Sequence, residues 1–579
     1  MRLKILLLSL SIFLYAALAQ SATYYVCNSE VNGDSGAAGN TDWETGVDTT
    51  AGGQGTSRGL PWATIEYAMS SSSGVTAGDT VVVAKGTYDD HDSDGYALRV
   101  DVAGSAGNYI AVCAETRGEV VLTDAGLDYT VYITSSASYI QLDGLDISGG
   151  AYCVMIGHNS PTSTNGYIII KNCTIHEQDD RYYYSSAVKI GVRTHHVTFD
   201  SSCFYGCGTG PIGYGLNPQS LGYAIYAEGT EHVVQNCVFR DPAAYAGPFI
   251  KIDGYDNELD GYVAGYEVEI VNNTFDGFGI DAQDRRRNQI WAVGIDTNER
   301  ANNLILIANN AFRNPTDITE VSSGCADCAI CIHNAGSFAA NDIDLYSNRT
   351  DKQLYGVYVG ESAITVTASG NLDEDDSWGL SDFDFVDQPG NDYQLNISSA
   401  LISNANASYA PPLDYLGRNR PVNLTDDIGA YEFAKEFSIT TTDSTASEVG
   451  PATGAYTVDC PNCVNGETVE VAFSGTATIT DDYTTNYSPI TWAGSPVVIT
   501  LTPVDSDGLC EAPEYARATI QNAVGAYIST TASYADISID DDTSDCAAAS
   551  GSAPSASRNS SGPTWSRDAN GPAVVGVYP

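Results

Sequence analysis

The sequence predicts an all-β chain, a right-handed parallel β-helix over most of its length, with a second β-rich region behind it. Two observations predict the helix. First, a strand-like phrase returns at Ile168–Ile175, Val197–Phe204, His232–Phe239, Val268–Phe275 and Leu306–Phe312. Its spacing, about 29 to 39 residues, lies in the range of solenoid repeats. Second, each unit holds another short apolar strand, so each reads as one coil. Four of the five phrases carry Asn-x-x-(Ile/Phe), at Asn172, Asn236, Asn272 and Asn309, and Ser201 stands at the place in the fifth. Asn172 and Asn272 are expected to face inward.

The chain starts Met1-Arg2-Leu3-Lys4, followed by an apolar run from Ile5 to Leu18 and small residues around Ala19. Basic, apolar and small segments in that order describe a secretory signal peptide, here residues 1–22. The run is short for a bilayer span, and no later stretch is long enough. An extracellular or cell-surface location with no further transmembrane segment is therefore expected. The 579 residues carry 73 acids against 25 bases, a formal charge of -48. That balance argues against nucleic acid, whose phosphates need a cationic face, and suits calcium sites or a saline habitat. Fourteen cysteines in an exported chain suggest disulfides. Cys173, Cys203 and Cys237 stack as an inward ladder of small side chains or else form bridges. Cys460-Pro-Asn-Cys463 suits a tight disulfide loop. Cys325, Cys328, Cys331 and His333 have either metal-like or disulfide spacing.

Residues 23–130 read as an N-terminal cap. Tyr24-Tyr25-Val26 is a strand. Ile65, Ala68 and Met69 share one helical face. Gly78–Tyr88 is turn, strand, turn. The motif Pro61-x-Ala63-Thr64-Ile65-x-x-Ala68, then Gly78-Asp79-Thr80-Val81-x-Val83-x-x-Gly86-Thr87-Tyr88, resembles the N-terminal cap of secreted parallel β-helix proteins of the pectate-lyase-like superfamily. That superfamily includes polysaccharide lyases, hydrolases, epimerases and non-catalytic surface proteins. The resemblance implies that the helix plugs the open coil end and shields the first rung from edge pairing. Residues 131–370 form the coils. The closing phrases Asp414–Pro421 and Asp427–Phe433 also resemble the ends of such proteins, so the likeness covers 23–433.

Over residues 438–542 Thr/Ser/Val alternation replaces the Asn ladder. Ser447-Glu448, Gly475–Thr478, Asp481-Asp482-Tyr483, Ile499–Asp505 and Ile537–Asp542 stand in an order that resembles a Calx-β domain, an immunoglobulin-like sandwich. The resemblance implies a Ca²⁺ site at one end of the sandwich, with Glu448, Asp482, Asp505, Glu511, Glu514, Asp540 and Asp541 as ligands. A Ca²⁺ ion takes about six to eight oxygens, and loops at one sandwich end can converge them. Cys510 and Pro513 depart from the pattern, and a purely structural spacer is the other reading. Residues 543–579 are Ser/Ala/Gly/Pro-rich and read as a flexible tail.

Chemistry is sought on the second strand of each coil. Aligned, these are Cys153–Gly157, Ala187–Gly191, Ala224–Glu228, Phe249–Asp253, Ala292–Asp296 and Ala329–His333. Apolar residues hold the second and fourth places and point inward. The third and fifth places point outward to solvent, in two columns. One reads Met155, Lys189, Tyr226, Lys251, Gly294, Cys331. The other reads Gly157, Gly191, Glu228, Asp253, Asp296, His333. With strands about 4.8 Å apart, Glu228, Asp253 and Asp296 stack as three carboxylates, a repulsion that Ca²⁺ or the Lys251 ammonium relieves.

Acids beside lysines and a tyrosine suit β-elimination on an anionic polysaccharide. The reaction removes the proton α to a uronate carboxylate. Lys251, or Lys189 if neutral, is the candidate base and Tyr226 the candidate acid or second base. Ca²⁺ or arginine would stabilise the enolate-like intermediate. The columns read equally as ordinary salt bridges on a polar face. Glycoside hydrolysis is the runner-up chemistry, since it needs two carboxylates about 5 to 9.5 Å apart. Arg285, Arg286 and Arg287 hold sugar carboxylates or sulfates, with Trp291 or Tyr223 stacking on a ring, or else pair locally with Asp281 and Asp284. His333 is a further substrate-binding candidate, Tyr182-Tyr183-Tyr184 a second wall, and His195-His196 an ordinary turn. The expected partner is an anionic polysaccharide or a cell-surface glycan. The alternative to an enzyme is a non-catalytic glycan-binding or matrix protein with a calcium-stiffened sandwich.

Overall fold

The computed structural model describes residues 21–27, 46–49, 51–89, 95–124, 128–157, 165–177, 186–207, 223–241, 249–253, 268–277, 293–296, 304–313, 328–333, 341–351, 353–357, 364–373, 379–420, 425–433, 435–448, 452–460, 463, 466–480, 482–504, 514–524, 526–529 and 532–540. The chain divides into two compact units, Met1–Phe433 and Ala434–Pro579. Residues 1–20 of the expected signal peptide and the expected tail, 543–579, lie outside the described residues.

Parallel pairing of strands one coil apart builds the first unit, a right-handed parallel β-helix of three sheets with eleven, nine and nine strands. Sheet one runs from Thr23–Val26 to Ile364–Ser369, sheet two from Leu98–Val100 to Gln353–Val357, and sheet three from Gly86–Tyr88 to Arg349–Thr350. Period-two alternation sends one face of each strand inward. Ile140, Leu142, Ile168, Ile170, Val197 and Phe199 of sheet one are buried in the common core. Val154, Ile156, Val188, Ile190, Ile225, Ala227, Ile250 and Ile252 of sheet two join them. From sheet three come Phe204, Phe239, Phe275 and Phe312, stacked at centroid spacings of 4.7, 4.7 and 4.8 Å, close to the strand spacing. The short helix Ile65–Ala68 is capped by Thr64, whose hydroxyl accepts from Tyr67 N–H at 3.1 Å. Its Ile65 and Ala68, with Met69 and Trp62, pack into the same core.

The corner between sheets one and three explains the returning phrase. Asn172, Ser201, Asn236, Asn272, Asn309 and Ser347 all have φ between 51° and 58°, a left-handed conformation that Asn tolerates. The residue after each corner, not the corner residue itself, points into the coil. Asn273, Asn310 and Asn348 are fully buried. The N–H groups of Cys237, Asn273, Asn310 and Asn348 donate to the Oδ1 of Asn273, Asn310, Asn348 and Asn371 at 2.8, 2.9, 3.0 and 2.8 Å. The expected inward placement of Asn172 is thereby corrected. It sits half-exposed on the turn and donates to Asp143 at 2.8 Å. Asn272 is buried, but beneath the C-terminal segment, donating to Asp427 O at 2.9 Å. The thiols of Cys173 and Cys237 occupy ladder places, whereas Cys203 pairs with Thr174 and Val238, one position later. All three are free thiols. Cys460 and Cys463 form the expected disulfide. Cys331 is disulfide-bonded and Cys328 is a buried free thiol, while Cys325 lies outside the described residues.

Residues 379–420 and 425–433 strap the outside of sheet three. Phe383, Tyr393, Leu401, Ile428 and Ala430 bury against Val238 and Ala311. The closing phrase of the sequence becomes a polar clasp. Arg420 is buried and pairs with Glu432, and it donates to the carbonyls of Asp427, Gly429 and Ala430 and to Asn236 Oδ1 at 2.9 to 3.2 Å. Such a guanidinium is retained only when its donors are used. Asp427 accepts from the backbone of Ser403 and Phe433.

The second unit is a sandwich of two five-stranded, mostly antiparallel sheets. Phe437, Tyr456, Val469, Trp492, Leu501 and Ile537 fill its core, and Tyr456 OH donates to Ala516 O at 2.7 Å.

Burial, then the Glu432 carboxylate, push Asp427 up to about 7. An unfolded Asp titrates near 3.9. Between about 4 and 7 the folded state therefore holds a proton the unfolded state has lost, and this site's contribution to stability falls as pH rises. Denaturant midpoints of the protein and of Asp427→Asn, compared from pH 4 to 8, should show the parent losing stability relative to the variant as pH rises. A pH-independent difference would contradict the assignment.

Candidate functional site

Sheet two brings the sequence-predicted residues together by register. Met155 pairs with Lys189, Lys189 with Tyr226, and Tyr226 with Lys251. Lys251 pairs with Gly294, and Asp253 with Asp296. Gly294 pairs with Cys331, and Asp296 with His333. The neighbours of Lys189 and Lys251 at the second and fourth places lie in the coil core, so these columns face outward. The side chains of Asp253, Asp296 and His333 lie outside the described residues, as do Arg285, Arg286, Arg287, Trp291 and Tyr182–Tyr184.

The face differs from expectation in its exposure. Lys189 is 7% exposed and Glu228 8%, so this part of the wall is buried, not solvated. The cation that meets Glu228 among the described residues is Lys189. Lys189 Nζ lies 2.7 Å from Glu228 Oε1 and 3.4 Å from the centroid of the Tyr226 ring. An ammonium held by a buried carboxylate and an aromatic face is stabilised in its charged form. The other carboxylate oxygen, Glu228 Oε2, is buried and has no hydrogen-bond partner among the described residues, and such an atom costs stability unless something meets it. Lys251 and Tyr226 are half-buried, and Tyr223 lies 5.5 Å from Tyr226.

Glu228 is aimed by the corner behind it. Gly229 has φ +83°, and a Cβ there would meet Thr194 O at 2.0 Å. Only glycine permits that approach. Buried His232 bonds Glu228 O through Nε2 at 2.7 Å.

A row of aromatics that the six aligned strands do not include lies on earlier rungs. Tyr132 pairs with Met155 and continues the Lys189 column. Around it Tyr96, Tyr129 and Tyr152 lie with centroids 5.3 to 6.0 Å apart. Burial and the Asp128 carboxylate, with the neighbouring tyrosines, push the Tyr129 phenol up to about 12. Burial and then Glu228 raise that of Tyr152, which ties this row to the Lys189–Glu228 pair. Extending the column one strand toward the N-terminus from Met155 reaches Tyr132.

In the sandwich, Glu448, Asp482, Glu514 and Asp540 are described, and Asp505, Glu511 and Asp541 are not. Ser447 pairs with Asp540, Glu448 N–H donates to Asp540 O at 3.1 Å, and Glu514 pairs with Ile539. Asp482 closes the loop that bonds Tyr515 O through Ala477 N–H at 3.1 Å. The backbones of the four thus gather at one end of the two sheets, and carboxylate oxygens are the donors Ca²⁺ prefers.

No family model matches the sequence, and no curated protein does. Similar solved structures include an alginate lyase from Paenibacillus sp. (17% identity, 53% of this chain and 92% of that one, TM-score 0.36). The pectate lyase Pel9A is 12% identical over 71% of this chain and 97% of its own, with a TM-score of 0.36. The calcium-binding domain CBD12 of CALX1.1 is 14% identical over 18% of this chain and 44% of its own, with a TM-score of 0.15. Likeness at this level carries no information on activity. Among the described residues, no helix is long and apolar enough to cross a membrane.

Removing one member of a buried ion pair strands the other. Glu228→Gln and Lys189→Met should each cost about 3 kcal/mol of stability, and the double change less than their sum. Urea midpoints of the three variants test this, and additive losses would show that the pair is not coupled.

Proposed function

We propose that this is a secreted carbohydrate-active protein that binds an anionic, uronate-containing polysaccharide on the outer face of sheet two and cleaves it by β-elimination. The observation that carries this reading is the buried Lys189–Glu228 pair under the Tyr226 ring, with Glu228 Oε2 unpartnered among the described residues, beside Lys251 and a row of tyrosines. Tyrosine rings offer flat apolar faces to sugar rings. Lys189, held as an ammonium, supplies positive charge to the uronate carboxylate as electron density moves onto it. Lys251, one rung beyond Tyr226 and half-buried, is then the base that takes the α proton, and Tyr226 the acid that protonates the leaving oxygen. Glu228 Oε2 accepts from a sugar hydroxyl or shares a Ca²⁺ ion with Asp253 and Asp296, which pair in register. That ion would add Lewis-acid charge at the carboxylate. A second Ca²⁺ would be held by Glu448, Asp482, Glu514 and Asp540, together with Asp505, Glu511 and Asp541, and would tie the strand ends of the sandwich.

The tyrosine row favours glycan binding whether or not cleavage occurs, and a non-catalytic glycan-binding protein is the second reading. The two are separated by absorbance at the unsaturated-uronate band over alginate, pectin and glycosaminoglycans, with and without EDTA. Cleavage of one substrate, lost by at least a hundredfold in Lys251→Ala and reduced by EDTA, is expected. Unchanged turnover in Lys251→Ala would reject its role as base, and a folded protein inactive on every substrate would leave the binding reading.

A further inference from the structure

The turn that presents Glu228 to sheet two carries a second carboxylate, Glu231, to its other side. There it meets two imidazoles. His196 Nδ1 lies 2.8 Å from His195 Nδ1 and 2.9 Å from Glu231 Oε2, and the three residues each offer a ligand atom within 4.8 Å of the other two. Hydrogen bonds alone serve this arrangement badly. An imidazole nitrogen offers one N–H or one lone pair, never both. If His196 Nδ1 carries a hydrogen, it can point at the carboxylate or at His195, not squarely at both. If it carries none, its lone pair faces a carboxylate oxygen. A cation placed among the three atoms satisfies all of them at once.

The surroundings hold the rings in place. His195 pairs with Gly166, where a Cβ would come within 2.4 Å of the His195 ring at Nδ1 and Cε1, so the imidazole lies across bare backbone. Tyr167 stacks on His196 at 4.3 Å and meets His195 edge-on at 5.3 Å, and Tyr139 stacks behind Tyr167 at 4.5 Å. The Lys189–Glu228 wall lies on the sheet-two side of the same turn.

We propose that His195, His196 and Glu231 form a binding site for a divalent transition-metal ion of the zinc class, with two Nδ1 nitrogens and one carboxylate oxygen as ligands. Ligand type separates it from the calcium sites. Imidazole suits zinc, copper and nickel, whereas calcium takes oxygen alone. Ligand atoms around tetrahedral zinc stand about 3.3 Å apart, given bonds of about 2.0 to 2.1 Å. The two contacts need to open by only about half an ångström to admit it. Three protein ligands leave a fourth position. His196 and Glu231 are 36% and 31% exposed at their side chains, so that position faces solvent and can take water or an oxygen of a bound glycan.

The test uses the full-length protein, stripped with chelator and titrated with zinc chloride by calorimetry in a calcium background that saturates oxygen-only sites. One zinc per chain is expected in this site, with affinity falling at least tenfold in His196→Ala and in Glu231→Gln. Circular dichroism of the stripped variants should match the parent. Zinc-edge X-ray absorption of the unmutated protein, which needs no variant, should show two imidazole nitrogens in the shell. An all-oxygen shell, no zinc bound by the folded protein, or titrations unchanged in both variants would each overturn the proposal.

Discussion

At the corner between sheets one and three, each of several rungs turns a backbone N–H into the coil, and no strand carbonyl meets it. The side chain of the next rung accepts it instead. Asn273, Asn310, Asn348 and Asn371 each take the N–H of the rung before. Each also donates back to a carbonyl of that preceding rung: Val234, Ile270, Ile307 and Leu345 respectively, all at 2.8 Å. A buried N–H without a partner costs about 1 to 3 kcal/mol. Slipping one rung by a residue would orphan several at once and turn the core face outward. This ladder therefore sets the register of the later coils. The phenylalanine stack of sheet three repeats that constraint in apolar form.

Register is what makes the outer wall a site. Lys189, Tyr226 and Lys251 are far apart in sequence and become neighbours only because their strands pair in step. The corner at Gly229 then divides labour within four residues, sending Glu228 to the Lys189 ammonium and Glu231 to the histidines. On the opposite side of the coil, the strap over sheet three uses the same economy. Asn272 and Asn236, corner residues with left-handed backbone, hand their outward amides to the clasp around Arg420, Asp427 and Gly429. One repeated turn thus serves both the coil's interior and the segment that covers it.

The architecture was legible because its signals repeat. Five returning phrases and six aligned strands outweigh irregular loop lengths, and the inward places of sheet two follow from alternation alone. What failed was finer. Recurrence of Asn suggests an inward place for Asn172 and Asn272, but sequence does not show that φ is positive, and a left-handed residue shifts the inward place by one. Cys203 was aligned with Cys173 by proximity, whereas Ser202 holds that place and bonds Cys173 N–H at 3.2 Å. Burial of Lys189 and Glu228 was not legible, since alternation gives a face but not what covers it. The His195–His196–Glu231 group joins residues 35 positions apart whose meeting depends on a turn, and two adjacent histidines by themselves read as an ordinary loop.

Backbone amide exchange measures the ladder directly. The N–H groups of Cys237, Asn273, Asn310 and Asn348 have side-chain acceptors from the following rung and no strand carbonyl. The account predicts that they exchange as slowly as the strand amides flanking them. Exchange at the rate of open turns would contradict the ladder, and with it the register on which the outer wall depends.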